Sequence, residues 1–392
     1  MKNNKRKLLI NTAFTIAVFV YLFSSLIKSI VKPIDVVERE NRYANKYSKI
    51  NLTSYVKGVT QSNIESTLSD QVFLSSRLKL VNNLMKGILL KEYINLYFDQ
   101  NELRYFPVSD INFYGKDNLV YNKWNFNETK NILDTKIENY NKLIDNINTN
   151  FYVYYIEKDT DINFETNKKL GAYDYIKDNI NTKNVSRFEI NNFVEFNEYF
   201  YKTDHHWNYK GSYKAYKELL TLLNVDSSPK VGTEKCFKER FSGSKASTTQ
   251  FNQIMTEEFC AYDFNFDQFN TTINGIKNEY GNQEKYFNGL ADNISYGNFY
   301  GGDDGEIVFK NSKVLEDNIL VIGESYDNAI LRLLAEKFNY LISIDLRYYE
   351  HYMKKEFDLK YYIKKYNINK VLFIGNLSFF TMEDFMINLG ES

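Results

Sequence analysis

The chain has 392 residues, 43% of them hydrophobic, enough to bury a sizeable core as one domain with an insertion or as two modest domains, and this excludes complete disorder. With 49 Lys and Arg against 50 Asp and Glu, the formal net charge of -1 leaves no bulk electrostatic basis for binding nucleic acid or another polyanion. The 33 Tyr and 30 Phe accompany an excess of Asn, Lys and Ile, the mark of an AT-rich genome, and carry no functional weight in bulk.

Lys2, Lys5, Arg6 and Lys7 precede residues 8–27, a stretch of twenty residues without a charge and long enough to span a bilayer as a helix. Asn11, Thr12, Thr15, Ser24 and Ser25 make it only moderately apolar, so a cleaved signal peptide stands as the alternative. Residues 29–33 make a poor cleavage site, which favours a retained anchor. The basic cluster then stays inside and the rest of the chain lies outside the cytoplasm, as expected for a single-pass protein of the cell membrane with an extracellular working domain. The expected layout is a basic cytoplasmic tip and transmembrane anchor over 1–31, a polar stalk over 32–59, and one domain over 60–392.

Within that domain, Ile64, Leu68, Leu74, Leu78, Val81, Met85 and Ile88 recur as the buried stripe of a long helix should. Ile132, Ile137, Tyr140, Ile144 and Ile147 repeat the pattern and lead into residues 151–156, an aromatic and β-branched run suited to a strand buried on both faces. Near the C-terminus, strands are expected at 318–322, 340–344 and 370–374, with helices at 328–338 and 357–366 between them. Strands alternating with helices predict an α/β fold with a mainly parallel sheet. Residues 225–311 lack a long helical period and read as an irregular or small-strand insertion over the main domain. That segment holds Cys236 and Cys260, which an oxidising exterior permits to pair; two free thiols are the alternative. Neither has a His near it in sequence, so neither is expected to act as a nucleophile.

Ser325 follows the expected strand 318–322, where the chain turns toward a helix. Ligands of open α/β sheets bind beyond the carboxyl ends of the strands, and N–H groups at a helix start can stabilise an oxyanion. Taken alone, Ser325 reads more simply as a helix cap. The chain has three His, and two stand together in Asp204-His205-His206-Trp207. A serine nucleophile needs a base, and the base an orienting acid; residues two apart in an extended segment share a side, so Asp204 and His206 can meet. Asn208 is a plausible cap for a helix over 209–223, which puts the run on a loop entering a helix. Ordinary polar loop histidines are the bland alternative. A His-rich metal site would have to borrow carboxylates, because His351 is isolated, and no metal is expected. The Asp-His-His triplet also echoes the DHH phosphoesterases, whose further aspartates would have to come from Asp159 and Asp161.

Asp204-His205-His206-Trp207 resembles the signature of the bacterial DHHW family, which is related to the SGNH-like domains of alginate O-acetyltransferases. Leu68-Ser69-Asp70-Gln71 with Arg77 resembles that family's opening helix, and Phe241-Ser242-Gly243-Ser244 its short Gly motif. Gly323-Glu324-Ser325-Tyr326 resembles its Gly-Asp-Ser-Tyr block, with Glu324 where Asp is usual, and Asp345-Leu346-Arg347-Tyr348 the stretch after it. The resemblance spans about residues 60 to 385, in family order.

The resemblance implies an SGNH-hydrolase-like three-layer α/β/α sandwich with Ser325 as nucleophile, His206 as general base and Asp204 as its orienting acid. Arg347 and Asn376 become candidates for oxyanion or substrate contacts, with Trp207, His205 and Tyr326 beside them; a salt bridge and a turn are the plainer roles of Arg347 and Asn376. The implied activity is transfer of an acetyl group through an acyl-serine to an extracellular polysaccharide, with a membrane-bound O-acyltransferase as acyl supplier and no cofactor. If water is the acceptor, the same site is a carbohydrate acetyl-esterase. A non-catalytic glycan-binding or scaffolding module is the alternative from another class.

Overall fold

The computed structural model describes residues 2–37, 42–72, 75–97, 103–108, 111–121, 126–249, 251–252, 254–266, 269–313, 315 and 317–382. It forms two compact units: Met1–Asp99 with Ala246–Met255, and Gln100–Lys245 with Thr256–Ser392. Residues 383–392 of the expected domain lie outside the described residues.

The first unit begins with helix α1 (Lys2–Val31). Among the described residues, its segment Ile10–Val31 is the one helix long and apolar enough to cross a membrane, which fits a single span or a signal anchor. The segment expected as a stalk carries structure of its own. Val36–Val37 pairs antiparallel with Arg42–Tyr43, and Asn51 caps the short helix Leu52–Val56, its Oδ1 accepting from Ser54 N at 2.8 Å. The physical reason is a polar clamp from helix α2 (Val59–Gln71): the Gln71 amide accepts from Ile34 N at 2.7 Å and donates to Ile34 O at 3.0 Å, while Asp70 accepts from Asn45 N at 2.9 Å. The single long helix expected over 64–88 is two, because Val72 turns extended after α2 and helix α3 (Ser75–Tyr97) starts afresh. Leu74 of the expected stripe lies outside the described residues. The apolar period of α3 is real but faces outward, with Leu78, Val81 and Met85 more than half exposed.

The second unit is built on a mixed eight-stranded sheet. In chain order its helix α4 (Phe126–Asn146) precedes β1 (Asn150–Ile156) and β2 (Val185–Phe188), and helix α5 (Tyr209–Leu222) precedes a separate hairpin of β3 (Thr233–Phe241) and β4 (Glu257–Asp263). Then come β5 (Phe269–Ile273), β6 (Ile276–Lys277), helix α6 (Tyr296–Tyr300), β7 (Glu306–Asn311) and β8 (Asn318–Ile322). A 3-10 turn at Asp327–Ala329 and helix α7 (Leu331–Ala335) lead to β9 (Tyr340–Ile344), and helices α8 (Leu346–Met353) and α9 (Leu359–Tyr366) to β10 (Lys370–Gly375) and helix α10 (Leu377–Thr381).

The sheet order is β6-β5-β7-β9-β8-β10-β1-β2. The run β9-β8-β10-β1-β2 is parallel throughout. The β6-β5-β7 edge is antiparallel, and β7 joins β9 antiparallel too. Residues 269–311, expected as part of an insertion laid over the domain, therefore extend its sheet. They turn back at Asn274-Gly275, and the link over 278–305 to β7 carries only the short helices Gln283–Phe287 and Tyr296–Tyr300, so no long helical period shows in the sequence. Cys236 and Cys260 face each other across β3 and β4 and are bonded, with Cα atoms 4.0 Å apart.

Alternate residues of each central strand enter two separate cores. Ile319 and Val321 pack with Ala215, Tyr216 and Leu219 of α5 and Leu334 of α7, whereas Leu320 and Ile322 pack with Leu133, Ile137 and Tyr140 of α4 and Leu359 of α9. Every residue of β8 is buried, and after Asn318 it reads as an unbroken apolar run, Ile319–Ile322. Each such side chain stabilises by roughly 1.5–3 kcal/mol through removal from water. Beyond β8 the chain turns to the first face, and beyond β10 it turns through Phe379 and Phe380 to the second. Neighbouring strands whose chains leave to opposite faces open a crevice at their carboxyl ends. Ser325 and Asn376 follow those two ends.

Candidate active site

The Asp204–Trp207 run hangs from a neck. An isolated bridge joins Phe200 to Trp207, Tyr201 N donates to His206 O at 3.2 Å, and Asn208 N donates to Tyr199 O at 2.8 Å. Asn208 then caps α5 as expected, its Oδ1 accepting from Lys210 N at 2.9 Å and Gly211 N at 3.1 Å. Glu257 straps the near side of the loop, taking Thr203 N at 2.7 Å, Thr203 Oγ1 at 2.6 Å and Lys202 N at 3.0 Å.

Asp204 and His206 meet through a local turn rather than an extended segment. Asp204 Oδ1 accepts from His206 N at 2.9 Å and lies 2.6 Å from His206 Nδ1. The side chain of a short acidic residue thereby satisfies a backbone N–H two residues on and fixes the ring of that residue. Asp204 Oδ2 accepts from Ser244 N at 2.7 Å. On its other edge, His206 Nε2 is 2.7 Å from Ser325 Oγ, although the two are 119 residues apart in sequence. Asp204 is 4% and His206 7% exposed, so the line of hydrogen bonds is shielded from water except near the serine.

Charge in the site follows from these contacts. Burial alone would raise Asp204, but His206 with its hydrogen bond, His205 and the Ser244 N–H outweigh it and hold the carboxyl well below the usual carboxylate range. His205 is driven well below the ordinary histidine range by burial and by His206 beside it, against the pull of Asp204, and stays neutral. Its Nδ1 is 2.5 Å from Ser244 Oγ. Gly243 has no room for a side chain, because a Cβ there would sit 2.3 Å from Asp204 Cβ. At the serine's own turn, a Cβ on Gly323 would meet Asp327 Oδ2 at 2.4 Å.

The remaining candidates take other places. Trp207 is fully buried against Phe188 and Tyr326, so it packs in the core and has no face free for a sugar. Tyr326 is buried as well, and its hydroxyl donates to the His205 carbonyl. Arg347 is held by Asp345, with Nε 2.9 Å from Oδ1, and lies 3.6 Å from Asp303 Oδ2. Asn376 caps α10 through Ser378 N at 2.8 Å and donates its Nδ2 to Glu324 Oε1 at 2.7 Å. Glu324, where the family usually has Asp, is raised above the usual range by burial, against Lys158 and Arg347. Arg347 thus takes its plainer role, an ion pair, whereas Asn376 caps a helix where a turn was expected.

Ligand atoms of Asp204, His205 and His206 lie within 4.8 Å of one another. A cation there would compete for the His206 nitrogens that already face Asp204 and Ser325. Asp159, considered for a metal centre, instead takes Lys245 Nζ at 2.7 Å, and Asp161 takes Lys158 N at 3.1 Å.

Sequence reasoning missed Glu257 and Tyr296. The Tyr296 ring lies parallel to that of His206, 3.8 Å away at 3°. One Tyr among 33 carries no local signal, and Glu257 has none either. Ser244 stood in a motif the sequence singled out, but its N–H to Asp204 is a tertiary contact.

No protein family and no curated protein sequence matches the chain. Among solved structures, Bacillus cereus PatB1 with a sulfonyl adduct is similar at 23% identity and a TM-score of 0.53, over 72% of this chain and 98% of that one. A DHHW family protein from Eubacterium siraeum is similar at 16% identity and 0.52, over 72% and 94%. The O-acetyltransferase domain of Pseudomonas putida AlgJ aligns at 10% identity with a TM-score of 0.36, over 68% and 92%. The resemblance carried by Asp204–Trp207 and by Gly323–Tyr326 is thus matched by a likeness of fold to a DHHW family protein and to PatB1.

Proposed function

We propose that the chain is a membrane-anchored, outward-facing serine acyl-ester enzyme, an SGNH-like α/β/α protein of the DHHW family that transfers acetyl groups onto a cell-surface or secreted polysaccharide. The observation that carries this reading is the line from Asp204 through His206 to Ser325, with hydrogen bonds of 2.6 and 2.7 Å. In this reading His206 Nε2 takes the Ser325 proton as Oγ attacks the acyl carbon, and Asp204, an anion well into acid, steadies the imidazolium. His206 returns the proton to the leaving alcohol, and Ser325 is left as the acyl ester. A sugar hydroxyl, deprotonated by the same nitrogen, attacks that ester, and Ser325 regains its proton. α1 anchors the chain with its basic tip inside, beside a membrane-bound O-acyltransferase that supplies acetyl groups.

PatB1 carries a sulfonyl adduct in its solved structure, and a sulfonyl fluoride offers the matching probe of Ser325. The test uses the full chain in detergent with a chromogenic acetyl ester. Ser325→Ala and His206→Ala should each lose on the order of 1,000-fold or more in rate, and a sulfonyl fluoride should label the parent but not Ser325→Ala. Equal hydrolysis by all three proteins removes the proposal. Adding a soluble oligosaccharide separates the acceptors: acetylated sugar identifies a transferase, and free acetate alone an esterase.

A further inference from the structure

His206 is gripped edge-on by Asp204 and Ser325, but hydrogen bonds in the ring plane do not stop the imidazole from tilting out of it. Its two faces are covered by rings. His205 lies 3.8 Å away at 36° and Tyr296 3.8 Å away at 3°, and no ring contact joins His205 to Tyr296, which places them on opposite faces. Tyr296 is buried and held from several sides. It opens α6, whose cap is Ser295 accepting from Asn298 N at 3.2 Å; its ring lies 5.0 Å from Tyr300, and Phe299 of the same turn is in the core. Its hydroxyl donates to the carbonyl of Tyr326, the residue after Ser325, at 3.3 Å. One side chain therefore touches the base's ring and the backbone of the nucleophile's turn.

We infer that Tyr296 is a positioning residue for the reaction proposed above, its ring acting as the wall that keeps His206 Nε2 aimed at Ser325. The face of a tyrosine ring also attracts a cation, so the stack favours the imidazolium that forms when Ser325 gives up its proton. His205, being neutral, covers the other face without opposing that charge. Segment 225–311 thereby has a task in the site, since α6 lies within it and delivers the wall.

The experiment compares Tyr296→Phe, which keeps the ring and loses the hydroxyl, with Tyr296→Leu and Tyr296→Met, which lose the aromatic face; Met fills more of the volume and serves if Leu does not fold. Acetyl-ester kinetics, thermal melting and the Ser325 labelling rate with a sulfonyl fluoride are read on the full chain. The Leu and Met variants should lose roughly tenfold or more in kcat with KM within about threefold, and label more slowly, while Phe retains most of kcat. Unchanged kcat in a folded Met variant, a loss confined to KM, or a Phe variant as impaired as Met overturns the inference. If Ser325→Ala stays active, the serine reading itself fails; if Ser325→Ala is inactive and the Met variant is not impaired, only the role of Tyr296 falls.

Discussion

Gly243→Ala puts a single methyl group against the acid of the site. The new Cβ would stand 2.3 Å from Asp204 Cβ, 2.5 Å from Oδ2 and 2.7 Å from Cα. Non-bonded carbons rest at about 3.5–4.0 Å, so Asp204 or the 243–244 backbone must yield by on the order of 1 Å. Two of the three obstacles are a backbone atom and the first side-chain atom, which no rotamer change can move aside. The displacement falls on the 2.7 Å bond from Ser244 N to Asp204 and, through Asp204, on the 2.6 Å bond to His206. A misplacement of about 1 Å at a reacting group costs roughly 100-fold, and we expect that loss in kcat for acetyl-ester hydrolysis. Ser244→Ala is the comparison: it removes the Oγ beside His205 but keeps the N–H to Asp204, and its kcat should stay within about tenfold of the parent. The assay pairs initial rates with a thermal melt to confirm folding. A Gly243→Ala protein within about threefold of the parent rate would refute the link from this glycine to the orientation of His206.

Two further outcomes concern stability. Lys245 and Asp159 form an ion pair at 2.7 Å with side chains 0% and 2% exposed, so Lys245→Met takes the cation away from a buried carboxylate and should cost about 3–5 kcal/mol; denaturant unfolding measures it, Asp159→Asn added to Lys245→Met should recover part, and a cost below about 1 kcal/mol contradicts the expectation. Asp161 is pushed up to about 7 by burial, against the hydrogen bonds from Tyr155 and Lys158. Its folded value lies above the unfolded one of about 3.9, so its contribution is full below about pH 4 and is lost as pH rises through 7. Relative to Asp161→Asn, the parent should therefore lose up to about 4 kcal/mol between pH 4 and 8; a difference that does not vary with pH in unfolding titrations speaks against the raised carboxyl.

Local patterns were legible where one physical demand acts over a few adjacent residues. β1, β8, β9 and β10 announced themselves because both their faces are buried, and Asn208 announced α5 because a cap is satisfied within three residues. The helix expected at 328–338 is shorter, a 3-10 turn and then Leu331–Ala335, because Asn328 is drawn into tertiary bonds with Tyr280 Oη at 2.8 Å and Gly301 O at 3.2 Å. Ile64, Leu78, Val81, Met85 and Ile88 have helical period yet stand exposed, since periodicity reports amphipathicity and not which face is covered.

Composition and short spacing were enough for the apolar N-terminal helix, the alternation of strands and helices around the sheet, and the residue types of the site. It took the packed chain to bring Ser325 to His206 across 119 residues, to bury Trp207 in the core, to set Asn376 against Glu324 and to wall the imidazole with Tyr296. These are contacts between segments distant in the chain. Chain packing sets them, and no residue's neighbours in sequence carry that information.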